Sequence, residues 1–237
     1  PVGVDYVPGL DESLKQRIVV IGSGPIRIGQ GIEFDYGCVH AVGAIRDLGH
    51  EAIIINNNPE TVSTDFDTSD RLYFDPLTLE SVSEVLLRER AHGILLQFGG
   101  QTAINLALPL AGNMPHLSTM GLHLVMEGTS PDAVDEASDR ERFETFAARN
   151  GLRMPRGSTA TTPEEVRRAV HEIGYPVLIR PSYVLGGRGM EILSTDKQLD
   201  AYMDEAYLAP DRPLLIDEYL GNAIELDVDA VCDGDEV

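Results

Sequence analysis

Arg180 and the glycine turn after it are the residues best suited to chemistry in this sequence. Arg180 ends the apolar run Pro176-Val177-Leu178-Ile179 and precedes Pro181-Ser182, so a strand should hold it at the edge of a core. A planar, permanently charged guanidinium there suits a phosphate group. Gly186-Gly187-Arg188-Gly189 can lay backbone N–H groups over a polyphosphate and close on it. Such a turn alone is equally an ordinary hairpin turn. Arginine and turn on one hairpin together favour a nucleotide lid. Further on, a backbone carbonyl and N–H within Asp217-Glu218-Tyr219-Leu220 can read the edge of an adenine. Glu225, Asp227 and Asp229 alternate with Ile224, Leu226 and Val228, which predicts one acidic strand face. A solvated sheet face is its default meaning, and a carboxylate for ribose hydroxyls is the functional one. Arg140 opens Asp139-Arg140-Glu141-Arg142, which by pattern alone is a solvated helix face of i, i+3 and i, i+4 pairs.

The first half offers another turn, Gly22-Ser23-Gly24-Pro25-Ile26-Arg27-Ile28-Gly29-Gln30-Gly31. It follows an apolar run, the right context for a phosphate loop. The dinucleotide fingerprint wants glycine where Arg27 stands, and the Gly-Lys-Ser/Thr of a P-loop is absent. Glycines for a tight strand-to-helix turn therefore explain it better than direct nucleotide binding. Three polar clusters follow strands: Gln30, Glu33, Asp35 and Tyr36; then Asn56 to Asp65; then Gly99-Gly100-Gln101-Thr102. In an open parallel sheet they share the carboxyl edge, where ligands bind. Gln30, Glu33, Asn58 and Gln101 are thus candidates for a shared pocket or channel wall. The six histidines and two cysteines show no metal-ligand spacing.

Elements must position these groups. Arg17–Ile21, Ala52–Ile55, Leu72–Phe74 and Gly93–Phe98 read as strands. Tyr36–Leu48 and Leu79–Arg90 read as helices, with another running to about Leu110. Alternating strands and helices predict a parallel α/β sheet over the first ~130 residues. Asn113 to Gly128 reads as a loop with a short strand. Asp139–Asn150 and Pro163–Ile173 are expected helices, the second capped by Thr162. After Pro176 the pattern becomes hairpin strands at 176–181, 190–193, 213–219 and 224–231, with a helix over Lys197–Leu208. This is an α+β layout, with the domain boundary expected near Thr129 to Asp135.

Composition bounds the rest. The 237 residues are 43% hydrophobic and 24% charged, which fits a soluble globular chain of one or two domains. Eighteen Lys and Arg stand against 39 Asp and Glu, a net charge of −21. Such a body repels phosphate backbones, so nucleic acid is an unexpected partner. Solubility or a salt-adapted, acidic proteome explains the excess better than one acidic face built for a partner. No apolar run approaches a membrane span, and Pro1 to Gln16 is no secretory signal. Cys38 and Cys232 alone fit a reducing compartment. Pro1 at the start, and a terminal strand, turn and incipient return strand, are expected of a cut from a longer chain.

In this order, these residues resemble the large subunit of carbamoyl phosphate synthetase from about Arg17 onward. The specific strings are Gly24 to Tyr36, Asn58 to Asp65, and Arg180 to Arg188. Their wording is similar to the second of that subunit's two halves, which phosphorylates carbamate. The resemblance implies a pre-ATP-grasp (Rossmann-like) domain over 17–130 and the N-terminal part of an ATP-grasp domain over 131–237, with 1–16 unplaced. It implies phosphate roles for Arg140 and Arg180, and a lid containing Gly186, Gly187 and Arg188. Glu218 and Leu220 match adenine contacts, and Glu225 matches the ribose carboxylate. It also implies ATP and Mg²⁺ as cofactors, with the metal ligands beyond Val237. Implied partners are bicarbonate or carbamate, ammonia from a small glutamine amidotransferase subunit, and the remainder of the large subunit. The product would feed arginine and pyrimidine synthesis in the cytoplasm. Other ATP-grasp carboxylases and ligases share the architecture but lack the string Ile28 to Tyr36. A nicotinamide oxidoreductase built on the first turn is opposed by Arg27, and a noncatalytic interaction module is the third alternative.

Overall fold

The computed structural model describes residues 15–27, 31–181, 189–205, 213–228, 230, 232 and 236. The chain divides into two compact units, Pro1–Leu152 and Arg153–Val237.

The first unit runs β1 (Arg17–Ile21), α1 (Glu33–Asp47), β2 (Glu51–Ile55), β3 (Arg71–Tyr73), α2 (Leu79–Glu89) and β4 (Gly93–Leu95). It continues with α3 (Gly100–Ile104), α4 (Ala107–Thr119), β5 (Val125–Met126), α5 (Pro131–Ser138) and α6 (Arg140–Arg149). Its five strands are parallel in the order β3-β2-β1-β4-β5. Because side chains alternate along a strand, the apolar runs split between two faces. Val19, Ile21, Ile53, Ile55 and Ile94 pack with residues of α2 and α4. Ile18, Val20, Ala52 and Ile54 pack with Cys38, Ala41, Val42 and Ile45 of α1. Helices on both faces explain why β1 and β2 are almost wholly apolar.

The expected elements hold with local differences. β4 stops at Leu95 rather than Phe98. The Gln97 side chain accepts from Leu96 N–H and donates to Glu127 O, and residues 97–99 form a short 3-10 turn. Helix takes the first part of the segment expected to be a loop, because α4 continues through Pro115 to Thr119. Burial of Leu110 and Leu117 on either side offsets the one lost backbone bond. α5 went unread, although Ser130-Pro131 is a helix start. Ser130 Oγ accepts from Ala133 N–H, and Pro131 takes the first turn. By packing, α5 and α6 group with the first unit.

The second unit contains β6 (Gly157–Ala160), α7 (Pro163–Ile173), β7 (Val177–Pro181), β8 (Glu191–Leu193), α8 (Asp196–Glu205) and β9 (Leu214–Glu218). Its strands are antiparallel in the order β6-β9-β7-β8. Thr162 Oγ1 accepts from Glu165 N–H, and the Glu165 carboxylate returns to Thr162 N–H, which fixes the start of α7. Bonds from Thr161 hold the Glu165 carboxyl below its usual range. β6 carries too few apolar residues to be read from periodicity.

One expectation fails. No strand forms among the described residues of 221–228, and Ile224, Leu226 and Val228 are 88%, 82% and 88% exposed. Alternation makes a strand only beside a partner that completes its ladder. The four-stranded sheet contains no such partner for this segment.

Glycines test the packing in both directions. A Cβ on Gly99 would lie 2.5 Å from the carbonyl oxygens of Ile21 and Gly22, whereas one on Gly112 meets nothing within 4 Å. Gly99→Ala is expected to cost about 1–3 kcal/mol in urea denaturation. Gly112→Ala, in exposed helix, is expected to gain about 0.5–1 kcal/mol.

Candidate functional site

At the carboxyl edge of the parallel sheet, the glycine turn after β1 meets the polar loop after β2. Asn56 is fully buried between them. Its Oδ1 accepts from Gly24 N–H and Asn57 N–H, both at 2.9 Å, and its Nδ2 donates to Ser63 Oγ at 3.0 Å. Gly22 N–H donates to Ile55 O at 2.9 Å. A Cβ at Gly22 would strike Asn56 at 2.3 Å, which explains that glycine without any ligand. The Gly24 N–H that a pyrophosphate would need is spent on an internal amide. With Arg27 in place of glycine, this turn is a poor dinucleotide cradle.

Asp35, in the first turn of α1, is also buried. It accepts from Val62 N–H at 2.9 Å and Ser63 N–H at 3.3 Å, capping the 3-10 turn Val62–Thr64. Burial first, and then the Asp35 charge, push the Cys38 thiol up to about 12. Asn57 Oδ1 and Thr102 Oγ1 are buried without a hydrogen-bond partner among the described residues. Both side chains flank Gly24, at 3.4 and 3.5 Å from where its Cβ would stand.

The structure places the four channel candidates differently. Asn58 is buried, and its Oδ1 accepts from Glu60 N–H at 3.1 Å. Exposed Glu33 accepts from Gly31 N–H at 3.0 Å. Exposed Gln101 donates to Asn105 Oδ1 at 2.6 Å and borders a shallow cleft with Val134 and Asp135. Gln30 lies outside the described residues, as do Gly186, Gly187 and Arg188.

In the second unit, Val177, Ile179, Leu214 and Ile216 face the core with α7 and α8. The alternate residues Leu178, Arg180, Leu215 and Asp217 occupy the opposite sheet face. Ile192 stands opposite Leu178 and is 45% exposed. This face is an apolar floor beside an arginine whose Nε lies 3.9 Å from Asp217 Oδ2. In register, Val177 pairs with Glu218 and Arg180 with Leu215. Arg180 and Glu218 are therefore offset by three residues, about 10 Å along β7. Arg180 lies toward the glycine-turn end, and Glu218–Leu220 lie toward the other. Gly189 accepts a bond from Tyr202 Oη on its carbonyl at 3.0 Å.

Glu218 N–H donates to Arg156 O at 2.7 Å and Tyr219 N–H to Pro176 O at 3.1 Å, so both donors are spent within the fold. Arg156, which no sequence motif marked, also donates Nε to the Glu218 carboxylate at 3.2 Å. That guanidinium holds the Glu218 carboxyl below the usual glutamate range. Arg140 donates Nε to Glu144 at 2.9 Å, an i, i+4 pair on α6. It belongs to the first unit and Arg180 to the second. Exposed Glu225 lies in the segment that forms no strand, which corrects the expected carboxylate-bearing sheet face.

The parallel α/β sheet followed by the antiparallel sheet defines a pre-ATP-grasp domain followed by an ATP-grasp domain. Residues 14–136 match the carbamoyl phosphate synthase preATP-grasp domain, and residues 139–237 match the carbamoyl-phosphate synthase L chain, ATP binding domain. The chain belongs to the carbamoyl phosphate synthase large-chain family. The carbamoyl phosphate synthase large chain of Methanothrix thermoacetophila is 56% identical over 229 residues, covering 96% of this chain and 21% of that protein. The large chain, C-terminal section, of Aquifex aeolicus is 50% identical over 225 residues, covering 94% of this chain and 40% of that one. This chain thus spans about a fifth of the full-length large chain it matches. Among solved structures, the biotin carboxylase domain of Hydrogenobacter thermophilus 2-oxoglutarate carboxylase, complexed with MgADP, ADP and bicarbonate, aligns with a TM-score of 0.60. It is 24% identical, and the alignment covers 87% of this chain and 45% of that one. N5-carboxyaminoimidazole ribonucleotide synthetase from Thermus thermophilus aligns with a TM-score of 0.58 at 17% identity, covering 86% and 47%. These likenesses show the fold.

The buried thiol gives a direct test of the first site. Cys38 should resist iodoacetamide at mildly alkaline pH, since its thiolate forms only near pH 12, while exposed Cys232 reacts. Mass spectrometry should find label on Cys232 alone until denaturant is added. Native labelling of Cys38 would show that this packing opens readily.

Proposed function

We propose that the chain is the pre-ATP-grasp domain (17–130) and the N-terminal part of the ATP-grasp domain (131–237) of a carbamoyl phosphate synthase large chain. The half in question phosphorylates carbamate with Mg-ATP. The observation that carries this reading is the face of the second sheet opposite α7 and α8. It sets an apolar floor, Arg180 at one end and Glu218–Leu220 at the other along one strand pair.

In the reaction a carbamate oxygen attacks the γ-phosphorus of ATP, the bond to the β-phosphate oxygen breaks, and ADP leaves. Two anions must be brought together, so catalysis rests on positioning and charge neutralisation. Arg180 orients and neutralises phosphate oxygens, with Asp217 holding the guanidinium at the sheet edge. Leu178, Ile192 and Leu215 receive the adenine face, and backbone groups of 218–220 read its edge. Arg140 and the turn Gly186-Gly187-Arg188 add phosphate contacts, and Glu225 takes the ribose. Among the described residues no cluster of three His, Cys, Asp or Glu forms a metal cage. Mg²⁺ therefore does not fit these residues alone.

Carbamate is short-lived in water, so it must travel through protein. Gln30, Glu33, Asn58 and Gln101 belong to the loops proposed to line that passage. The unpartnered Asn57 Oδ1 beside Gly24 supports a polar occupant there. The full-length protein would work in the cytoplasm with a small glutamine amidotransferase subunit supplying ammonia. The wording of the strings around Asn58 and Arg180, together with the match to the Aquifex C-terminal section, supports the carbamate half over the bicarbonate half.

The test uses the full-length large chain. Arg180→Ala should lower ATP synthesis from ADP and carbamoyl phosphate by about 10- to 100-fold, the worth of a charged hydrogen bond at about 1.5–3 kcal/mol. Bicarbonate-dependent ATP hydrolysis should persist. Loss of the bicarbonate-dependent step with ATP synthesis intact would assign the chain to the other half.

A further inference from the structure

The charge of this chain is out of scale with its size. Small domains typically carry a net charge of about 2–8, and this one carries −21. One-to-one pairing of every base would still leave 21 carboxylates unmatched. The bases themselves are unusual, since only Lys15 and Lys197 are lysines and the other 16 are arginines. Arginine is the weakly hydrated cation that pairs with carboxylates through a planar fork, while lysine is a strongly hydrated point charge. Arg46, Arg71, Arg142, Arg149, Arg156 and Arg167 each lie within 3.8 Å of a carboxylate, so these six cations are already committed.

The surplus acid occurs in both units. It recurs along the helices of both units at the spacing where side chains are neighbours. Glu80 and Glu84 stand at i, i+4 on α2, and Asp196, Asp200 and Asp204 form one stripe of α8, of which Arg167 pairs with Asp200. Neighbours one helical turn apart are separated by about 5.4 Å. At about 0.15 M salt the screening length is about 8 Å, so these pairs repel; at about 1 M it is about 3 Å, and they do not. Ordinary ionic strength therefore leaves the compact state working against its own charge.

We propose that the surface of this chain takes concentrated monovalent cations as its partner. The fold reaches full stability only in roughly molar salt, where a layer of hydrated cations screens and accepts the surplus carboxylates. This rests on composition and placement, and it stands whether or not the carbamate reading holds.

Thermal unfolding of the 237-residue chain, followed by circular dichroism, tests it. Between about 0.1 M and about 2 M KCl the midpoint should rise by roughly 10 °C or more. Sucrose, which favours compact states without supplying charge, should give a much smaller gain. The variant Glu80→Gln, Glu84→Gln, Asp204→Asn should melt higher than the parent at low salt and respond less to KCl. A chain unfolded at low salt that folds on adding KCl meets the expectation in its strongest form. A midpoint that stays flat or falls with KCl, a sucrose gain equal to that of KCl, or a triple variant no more stable at low salt would each overturn the proposal. A fall with salt would favour the alternative, acidic faces kept for a basic partner.

Discussion

The Asn56 side chain is the joint on which the working edge of the first unit depends. It is fully buried and binds two backbone N–H groups through one oxygen. Burying an amide is costly unless its polar atoms are bonded, so the glycine turn and the loop after β2 must adopt conformations that serve it. Gly22 follows from this, because a side chain there would occupy the space of Asn56. Asp35 extends the lock by capping the short turn that carries Ser63. The first sheet therefore consumes its own donors at the edge where related topologies bind nucleotides.

The second sheet is built the other way. One face is filled by α7 and α8, and the other keeps Leu178, Ile192 and Leu215 beside Arg180 and Asp217. An apolar floor with one fixed cation is what a flat base carrying a charged tail requires. The strand register separates the two ends, with Arg180 toward the glycine turn and Glu218 toward the edge held by Arg156. The first edge spends its donors internally, whereas the second face sets Arg180 beside apolar side chains. The acidic body sharpens that contrast, because an anionic ligand meets few cations outside such a site.

Much of this was legible in the sequence where local signals agree. The apolar runs of β1 and β2, the Thr162 cap with Glu165, and Arg180 at a strand end all stand as read. Legibility failed where tertiary contacts override local pattern. Pro115 did not stop α4, because Leu110 and Leu117 anchor both its sides. Gln97 ended β4 with side-chain bonds that no periodicity reveals. Ile224 to Val228 alternate without a strand to pair with. Asn56 and Asp35 stand out in the sequence only as members of polar clusters, and Arg156 not at all, because the bonds they make are to partners distant along the chain. The Ser130-Pro131 start of α5 is a local signal of the same kind as the Thr162 cap.

Amide hydrogen exchange with and without Mg-ATP tests the contrast most directly, because it locates the nucleotide by segment. The account expects new protection in residues 177–181 and 214–220, with residues 22–27 and 56–65 unchanged. Protection confined to 22–27 and 56–65 would put the nucleotide on the first glycine turn and contradict the assignment.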